Sequence, residues 1–401
     1  MMKILIVTQY FYPENFKSND MAFELVKRGH EVTVLTGIPN YPHGRYYEGY
    51  GLFRRCTENI NGVKVKRAWL FPRGSGGGLR LALNYFSWAF FASWKGFILS
   101  LFHSYDVIIG HEPSPITQGI PAIVIKKLLK IPFYFWVLDL WPESLVSAGG
   151  VRNKYVLNFF TRITKFVYSN SDRILISSRG FRNSILEKGE NEAKLVYFPN
   201  WAENIFSKCN ECRIPDLPCG FKIMFAGNIG EAQDFEHIMQ AALMLKDERD
   251  IHFIFIGDGR KRVWVDEFMT KNELQDTVHL LGRFPLETMP TFFKQADVML
   301  VTLKDELIFN VTVPAKLQAY MATGKPILAM LNGEGAEIVQ EAGCGYAVPA
   351  GDYEGLVREI KKMKDLEVQK RLALGKSGKI YCMENFSLEN CMDRLCEILV
   401  S

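Results

Sequence analysis

The chain has 401 residues, a formal net charge of +4, 48% hydrophobic and 23% charged residues, which is ordinary for a globular protein long enough to form two domains. Its 32 glycines and 17 prolines are scattered and no 20–50-residue repeat is present, which excludes collagen-like, low-complexity and solenoid architectures. The charge is uneven: residues 1–200 carry 25 Lys+Arg against 14 Asp+Glu, a net +11, and residues 201–401 carry 23 against 30, a net −7. The first half is therefore the one suited to an anionic partner, whether membrane surface, phosphorylated substrate or nucleic acid.

In chain order, Met1-Met2-Lys3 leads into an apolar run too short for a secretory signal, so a cytoplasmic location with reduced thiols is expected for the eight cysteines. Residues 3–8, 31–35, 106–109, 133–138, 173–176 and 194–198 read as buried strands. Helical periodicity lies between them near 19–28, 116–130, 153–168 and 179–187, and Gly29 is a C-cap after the first helix. The segment 81–94 is apolar and aromatic but too short to span a bilayer. It fits either an interfacial helix with Trp88 and Trp94 at headgroup level or a helix buried against the N-terminal sheet.

An irregular stretch over 200–220 reads as a linker; in it Cys209, Cys212 and Cys219 have incomplete zinc spacing with no fourth ligand nearby. The strand–helix pattern then restarts, with strands expected at 221–226, 251–256, 278–281, 297–302 and 326–329 and helices at 235–246 and 314–322. The expected fold class is α/β: two Rossmann-like domains, 1–199 and 221–385, with parallel sheets facing a central cleft, hinged around Pro199–Trp201. A C-terminal helix, 386–401, is expected to return to the N-terminal domain.

No G-x-G-x-x-G follows the first strand, and no Walker A, Asp-x-Asp or His-Glu-x-x-His occurs. The sequence therefore calls for no nicotinamide or flavin cofactor and no metal. Instead, successive strands of the second half end in Phe225-Ala226-Gly227-Asn228-Ile229-Gly230, Ile256-Gly257-Asp258-Gly259-Arg260 and Leu281-Gly282-Arg283-Phe284-Pro285. The run from Val313 to Ile327, then 335–339 and 345–352, completes the series. In order and spacing this set resembles the nucleotide-sugar domain of GT-B glycosyltransferases of family 4, and Gly29–Val34, 105–108 and 172–177 fit the same family. It is similar in particular to WbuB-like transferases of bacterial O-antigen and capsule clusters, through Pro13-Glu14-Asn15-Phe16, Pro39-Asn40-Tyr41-Pro42, Leu138-Asp139-Leu140-Trp141-Pro142-Glu143 and 313–318.

The resemblance implies a retaining transferase that moves a sugar from a UDP-sugar to a polyprenyl-diphosphate-linked saccharide, peripheral on the inner face of the cell membrane. An N-acetylated amino sugar is among the donors it points to. The acceptor's diphosphate would account for the basic first half, and the membrane would be met through that half and 81–94. The chain departs from the broad family where donor phosphates and ribose are usually held. Phe16-Lys17 replaces a Gly-Gly pair, and Asn228 and Gln233 stand where Arg and Lys are usual. The paired glutamates fall at 310–311 and 318–319, where Asn310-Val311 and Gln318-Ala319 stand instead. A departing diphosphate needs positive charge, and Lys17, Arg260 and Lys316 sit at strand ends or helix starts suited to supply it. Backbone N–H groups after Pro314 add to that charge, and Gln318 is suited to the ribose hydroxyls. Gly227, Asn228 and Arg283 complete the expected donor site; Asn40, Tyr41, Trp141 and Glu143 form the expected acceptor site. For proton handling, Asp139 and His111 follow strand ends, with Glu14 next. A nucleotide-sugar 2-epimerase of the same fold and a non-catalytic nucleotide-sugar-binding partner remain open; nothing modular supports nucleic-acid binding.

Overall fold

Long apolar runs with few polar interruptions make strands that are buried on both faces, and both halves of the chain are built on such strands. The computed structural model describes residues 1–147, 150–207 and 212–400. It divides into two units, Met1–Phe198 with Met392–Ser401, and Pro199–Cys391.

The first unit holds β1 (Lys3–Val7), β2 (Glu31–Gly37), β3 (Thr57–Ile60), β4 (Val63–Ala68), β5 (Val107–Glu112), β6 (Phe133–Val137), β7 (Arg173–Ile176) and β8 (Leu195–Tyr197). Their order is β3-β4-β2-β1-β5-β6-β7-β8, parallel except for β3 against β4. β1 is central, with Ile4 opposite Val32 on one side and Val107 on the other. The β3–β4 hairpin was not expected. Its two-residue turn, Asn61-Gly62, has positive φ at both positions, as the favoured tight hairpin turn requires.

Right-handed crossovers decide which face each helix takes. Helix Lys17–Lys27 leads from β1 to β2 on one side of the sheet. Helices Gly78–Phe102, Gly119–Leu129 and Lys154–Asn170 all run towards β8, so they share the opposite face and pack on one another. The segment 81–94 lies inside the first of these three. Trp88, Ala89, Ala92, Gly96 and Leu99 are buried against the unit, while Phe90, Trp94, Leu101 and Phe102 are exposed; Trp88 is thus a core residue and not the headgroup-level residue expected of an interfacial helix. No helix among the described residues is long and apolar enough to cross a membrane.

The second unit holds β9 (Phe221–Ala226), β10 (Ile251–Ile256), β11 (Val278–Gly282), β12 (Val298–Thr302), β13 (Ile327–Met330) and β14 (Gly345–Val348). All pairs are parallel, in the order β11-β10-β9-β12-β13-β14. The stretch before β9 belongs to this unit: Trp201 and Ala202 are buried, and the Ala202 N–H donates to the Phe386 carbonyl. Cys209 lies outside the described residues; Cys212 and Cys219 are free thiols.

Candidate active site

In an open parallel sheet, loops diverge where the strand order reverses, and ligands meet the carboxyl ends there. The first unit reverses between β1 and β5, the second between β9 and β12.

In the first unit the loop after β1 is anchored by a buried polar network. Thr8 Oγ1 donates to Gln118 Oε1 (3.2 Å), as does the Gln9 N–H (2.6 Å), and Gln9 Nε2 donates to Asn84 Oδ1 (2.7 Å). Glu14, 2% exposed, accepts the N–H groups of Asn40 (2.7 Å) and Tyr41 (2.6 Å) through Oε1, tying the β1 loop to the β2 loop. Burial pushes the Glu14 carboxyl up to about 7 in spite of those two bonds. Asn40 is also buried, with Oδ1 accepting from the Arg73 N–H and Nδ2 donating to the Ile38 carbonyl. Its side chain braces the loop and is not presented to an acceptor, contrary to expectation.

Tyr41 is partly exposed and is the one of this pair open to a ligand. Its ring packs against Tyr10 and Phe16, and the Arg73 guanidinium lies 5.0 Å from its centroid while donating to the Tyr10 hydroxyl (3.1 Å). Arg73 was not singled out in the sequence; it sits in an irregular stretch with no motif around it. Lys17 opens helix Lys17–Lys27, half-buried at the end of the same loop.

Asp139 follows β6 and is half-buried. Burial raises its carboxyl to about 6, and the polar groups of Ser144, Ser114, Trp141 and the Leu140 backbone nearby oppose the rise without forming well-made hydrogen bonds to it. That value suits a group that changes protonation state near neutral pH. His111 does not fit the proton-accepting role expected of it. It is 1% exposed, with Nδ1 at 3.1 Å from Thr8 Oγ1 and its ring against Trp136, and burial lowers it to about 3, so it is a neutral packing group. Its neighbour Glu112 was overlooked. Glu112 ends β5, is fully buried and has neither carboxyl oxygen in a well-formed hydrogen bond among the described residues. Burial raises its pKa well above the carboxylate range, the Asp139 charge adds to this, and only the Asp139 backbone opposes it. The only signal in the sequence was two ionisable residues in succession at the end of an apolar strand.

Trp141 is buried against Phe160, at 5.0 Å between ring centroids. Glu143 is held by Lys188 Nζ (2.5 Å) and Ser184 Oγ (2.7 Å), which keep its carboxyl below the usual value against the pull of burial. A carboxylate committed to an ion pair and packed beside a buried indole is a poor sugar contact, so both residues support the loop after β6 and do not form the expected acceptor surface.

In the second unit, backbone forms most of the site. Gly227 and Gly257 both have φ near +140°, and a Cβ on Gly257 would collide with the Gly227 carbonyl. The two strand ends can approach only as glycines, and the approach is held by the Gly227 N–H bonding to Ile256 and the Ile229 N–H bonding to Asp258 (both 2.9 Å). The loop after β9 is stitched to β12 by Thr302 Oγ1 donating to the Gln233 carbonyl (2.5 Å) and by the Lys304 N–H bonding to Ala232 (3.0 Å).

Lys316, second residue of helix Ala315–Thr323, reaches across this loop. Its ammonium donates to Gln233 Oε1 and lies 3.9 Å from the centre of the Phe225 ring, close to Gly227. With no carboxylate beside it, loss of solvent lowers its pKa to about 7. An under-solvated cation next to exposed backbone at Gly227 and Asn228 and at a helix N-terminus has the chemistry that suits a phosphate. Arg260 is exposed beside this loop, whereas Arg283 turns to Asp258 (Nε to Oδ2, 3.2 Å). Gln318 is 2% exposed and its Nε2 donates to the Asn200 carbonyl (2.9 Å). That amide is already used inside the unit, so the expected ribose contact does not come from it. Asn310 Nδ2 donates to Asp305 Oδ1 (2.9 Å). The described residues contain no cluster of three metal-ligating side chains.

Two parallel-sheet α/β units with glycine-bearing strand ends are the plan of the GT-B glycosyltransferases. Among solved structures, HepE of Anabaena, crystallised with UDP and glucose, matches all of both chains at a TM-score of 0.68 and 14% identity. Sucrose-phosphate synthase from Thermosynechococcus elongatus matches 99% of this chain and 98% of its own at a TM-score of 0.74 and 14% identity. These likenesses speak to the fold. Residues 220–365 match the family described as glycosyl transferases group 1, and residues 18–201 match the glycosyl transferase 4-like domain. The probable glycosyltransferase WbjE of Pseudomonas aeruginosa is 31% identical over 296 residues, 70% of this chain and 71% of that one. The putative colanic acid biosynthesis glycosyl transferase WcaI of Escherichia coli K12 is 27% identical over 342 residues, 80% and 82% of the two chains. The chain belongs to the glycosyltransferases of this family, of the GT4 type.

Proposed function

We propose that the chain is a retaining, metal-independent glycosyltransferase of bacterial surface-polysaccharide synthesis. It moves a sugar, an N-acetylated amino sugar among the candidates, from a UDP-sugar to a polyprenyl-diphosphate-linked saccharide, working peripherally at the inner face of the cell membrane. The observation that carries the reading is Lys316: an ammonium with no carboxylate beside it, set against the Gly227 turn. The diphosphate of the donor supplies the missing counter-charge. HepE's capture with UDP and WcaI's description in colanic acid synthesis support the donor class and the pathway class.

In the reaction, the bond from the sugar's anomeric carbon to the diphosphate oxygen breaks and a bond to an acceptor hydroxyl oxygen forms on the same face. The hydroxyl proton passes to the departing phosphate. Lys316 and the N–H groups after Pro314 stabilise the charge that develops on the diphosphate. Asp139 orients the acceptor hydroxyl, and Tyr41 with Arg73 offers the acceptor an aromatic and cationic surface.

A screen of UDP-sugars with and without a polyprenyl-diphosphate saccharide mixture tests this by UDP release. One donor should give acceptor-dependent release that is abolished in Lys316→Ala and reduced by about 10²–10⁴ in Asp139→Asn. Interconversion of UDP-sugars without release would make the chain an epimerase, and donor binding without turnover would make it a non-catalytic partner.

A further inference from the structure

Glu112 is fully buried and takes no part in the proposed reaction. In β5 and β6, Gly110 lies opposite Phe135 and Glu112 opposite Val137, so these side chains share one face of the first sheet. Tyr168 of helix Lys154–Asn170 packs on that face against Phe135 (6.2 Å between ring centroids). His111 alternates to the other face, against Trp136. The Leu138 N–H donates to the Glu112 carbonyl (3.1 Å), which sets Asp139 just past the paired strands and beside the Glu112 side chain.

Among the described residues, the charges acting on Glu112 include no cation. Asp139 faces it from the loop after β6 and Tyr168 from the helix, and Lys188 is committed to Glu143. Burial, with the charges of Glu112, Glu143, Asp139 and Glu190 added, holds the Tyr168 proton well past the ordinary tyrosine value. The Tyr168 hydroxyl, like both Glu112 oxygens, is buried without a well-formed partner among the described residues. An ionised Glu112 would therefore carry an unbalanced charge inside the unit, beside a second carboxylate. A neutral acid needs only an acceptor for its O–H, and the partly exposed Asp139 carboxylate is the strongest acceptor beside it. Two carboxyls in one site divide the roles by environment: the more buried one keeps its proton and the more exposed one takes the charge.

We propose that Glu112 and Asp139 form a carboxyl pair holding one proton, in which Glu112 keeps the proton and donates a hydrogen bond that fixes the Asp139 carboxylate for the acceptor hydroxyl. Glu112 is a positioning residue: its proton stays in place through the reaction, and no bond to it is made or broken. The inference rests on the proposed function for the part that gives Asp139 to the acceptor.

Difference infrared spectroscopy of the full chain against Glu112→Gln tests the pair without any substrate. At pH 8, where Asp139 and Glu14 are ionised, the wild type should show the carbonyl stretch of a protonated carboxyl that the variant lacks. Asp139→Asn should move that stretch to higher frequency, because an amide accepts a weaker bond than a carboxylate. Transfer kinetics test the role. Glu112→Leu should lower kcat about 10–100-fold with the KM for UDP-sugar unchanged, and should shift the acidic limb of kcat/KM to higher pH as the Asp139 carboxylate loses a donor. Glu112→Gln, whose amide still donates, should restore most of the rate and the wild-type limb. Circular dichroism melts check that the variants fold; if Glu112→Leu does not, the infrared arms and Glu112→Gln still decide. An ionised Glu112 at pH 8, a stretch that ignores Asp139→Asn, or a rate that falls as far in Glu112→Gln as in Glu112→Leu, or in neither, would overturn the proposal. No transfer in wild type, with the infrared signature intact, would count against the transferase and not against the pair.

Discussion

Lys316 is the residue where position and chemistry conflict most. Desolvation lowers it from 10.5 to about 7, so between those values the unfolded chain holds more protons than the folded one. Stability without ligand therefore rises with pH through that window and is lowest below about 7, where the buried ammonium must be carried charged. Lys316→Met removes that cost. It should raise the melting temperature at neutral pH by about 2–4 °C for each kcal/mol recovered, and its stability should show no rise from pH 7 to 10. The same variant should bind UDP-sugar about 10–100-fold more weakly. A UDP-sugar that restores the charge should also draw a proton from buffer at pH 8, read by calorimetry in buffers of different ionisation enthalpy, and this uptake should vanish in the variant. Glu14 has the opposite sign. Its folded value of about 7 exceeds the ordinary 4.5, so its contribution is complete below 4.5 and is lost as the pH rises to about 7. Glu14→Gln keeps an acceptor for the Asn40 and Tyr41 N–H groups, and it should flatten the stability curve by up to about 3 kcal/mol across that window, as urea melts at pH 4.5 and 8 would measure.

At the scale of elements, strands were legible because burial on both faces demands unbroken apolar runs: β7, β9 and β10 have the limits read from sequence. The hairpin strands β3 and β4 and the edge strand β14 were not. The hairpin strands carry polar and alternating side chains, as in Val63–Ala68 with its Lys64, Lys66 and Arg67, and only the Asn61-Gly62 turn marked the hairpin. Of the site, the loops that carry it were readable, since glycines at strand ends and an ionisable residue after a strand have a stated physical use. The state of each side chain was not. The burial of Asn40, Gln318 and His111 depends on partners distant in sequence: Arg73, Asn200 and Thr8. Glu112 and Arg73 had no motif around them at all. The glycine argument has a direct test in Gly257→Ala, whose Cβ would strike the Gly227 carbonyl at a φ of 139°. It should cost about 2–4 kcal/mol and weaken UDP-sugar binding with it, whereas Gly51→Ala, with open space around its Cβ, should do neither.

For the whole molecule, the chain crosses between its two units twice, at 198–199 and again at 391–392. The last crossing is made inside helix Leu388–Val400, whose Met392 and Leu395 are fully buried, and Asp393 pairs with Arg28 of the first unit. Residues 392–400 thus group with the first unit although they follow the second in sequence, while the loops after β9 and β10 and Lys316 belong to the second unit. This arrangement makes the stabilities of the two units separable by mutation and by ligand. Leu395→Ala should destabilise the first unit by about 2–5 kcal/mol through the cavity it leaves. A saturating UDP-sugar should raise only the transition of the unit that binds it. In a calorimetric scan the variant should therefore show one transition moved down, and the ligand should move the other one up by the same increment as in wild type. A single transition that shifts with both perturbations would mean the units unfold as one cooperative body, and the assignment of donor binding to residues 199–391 would then need direct support from the Lys316 and Gly257 variants.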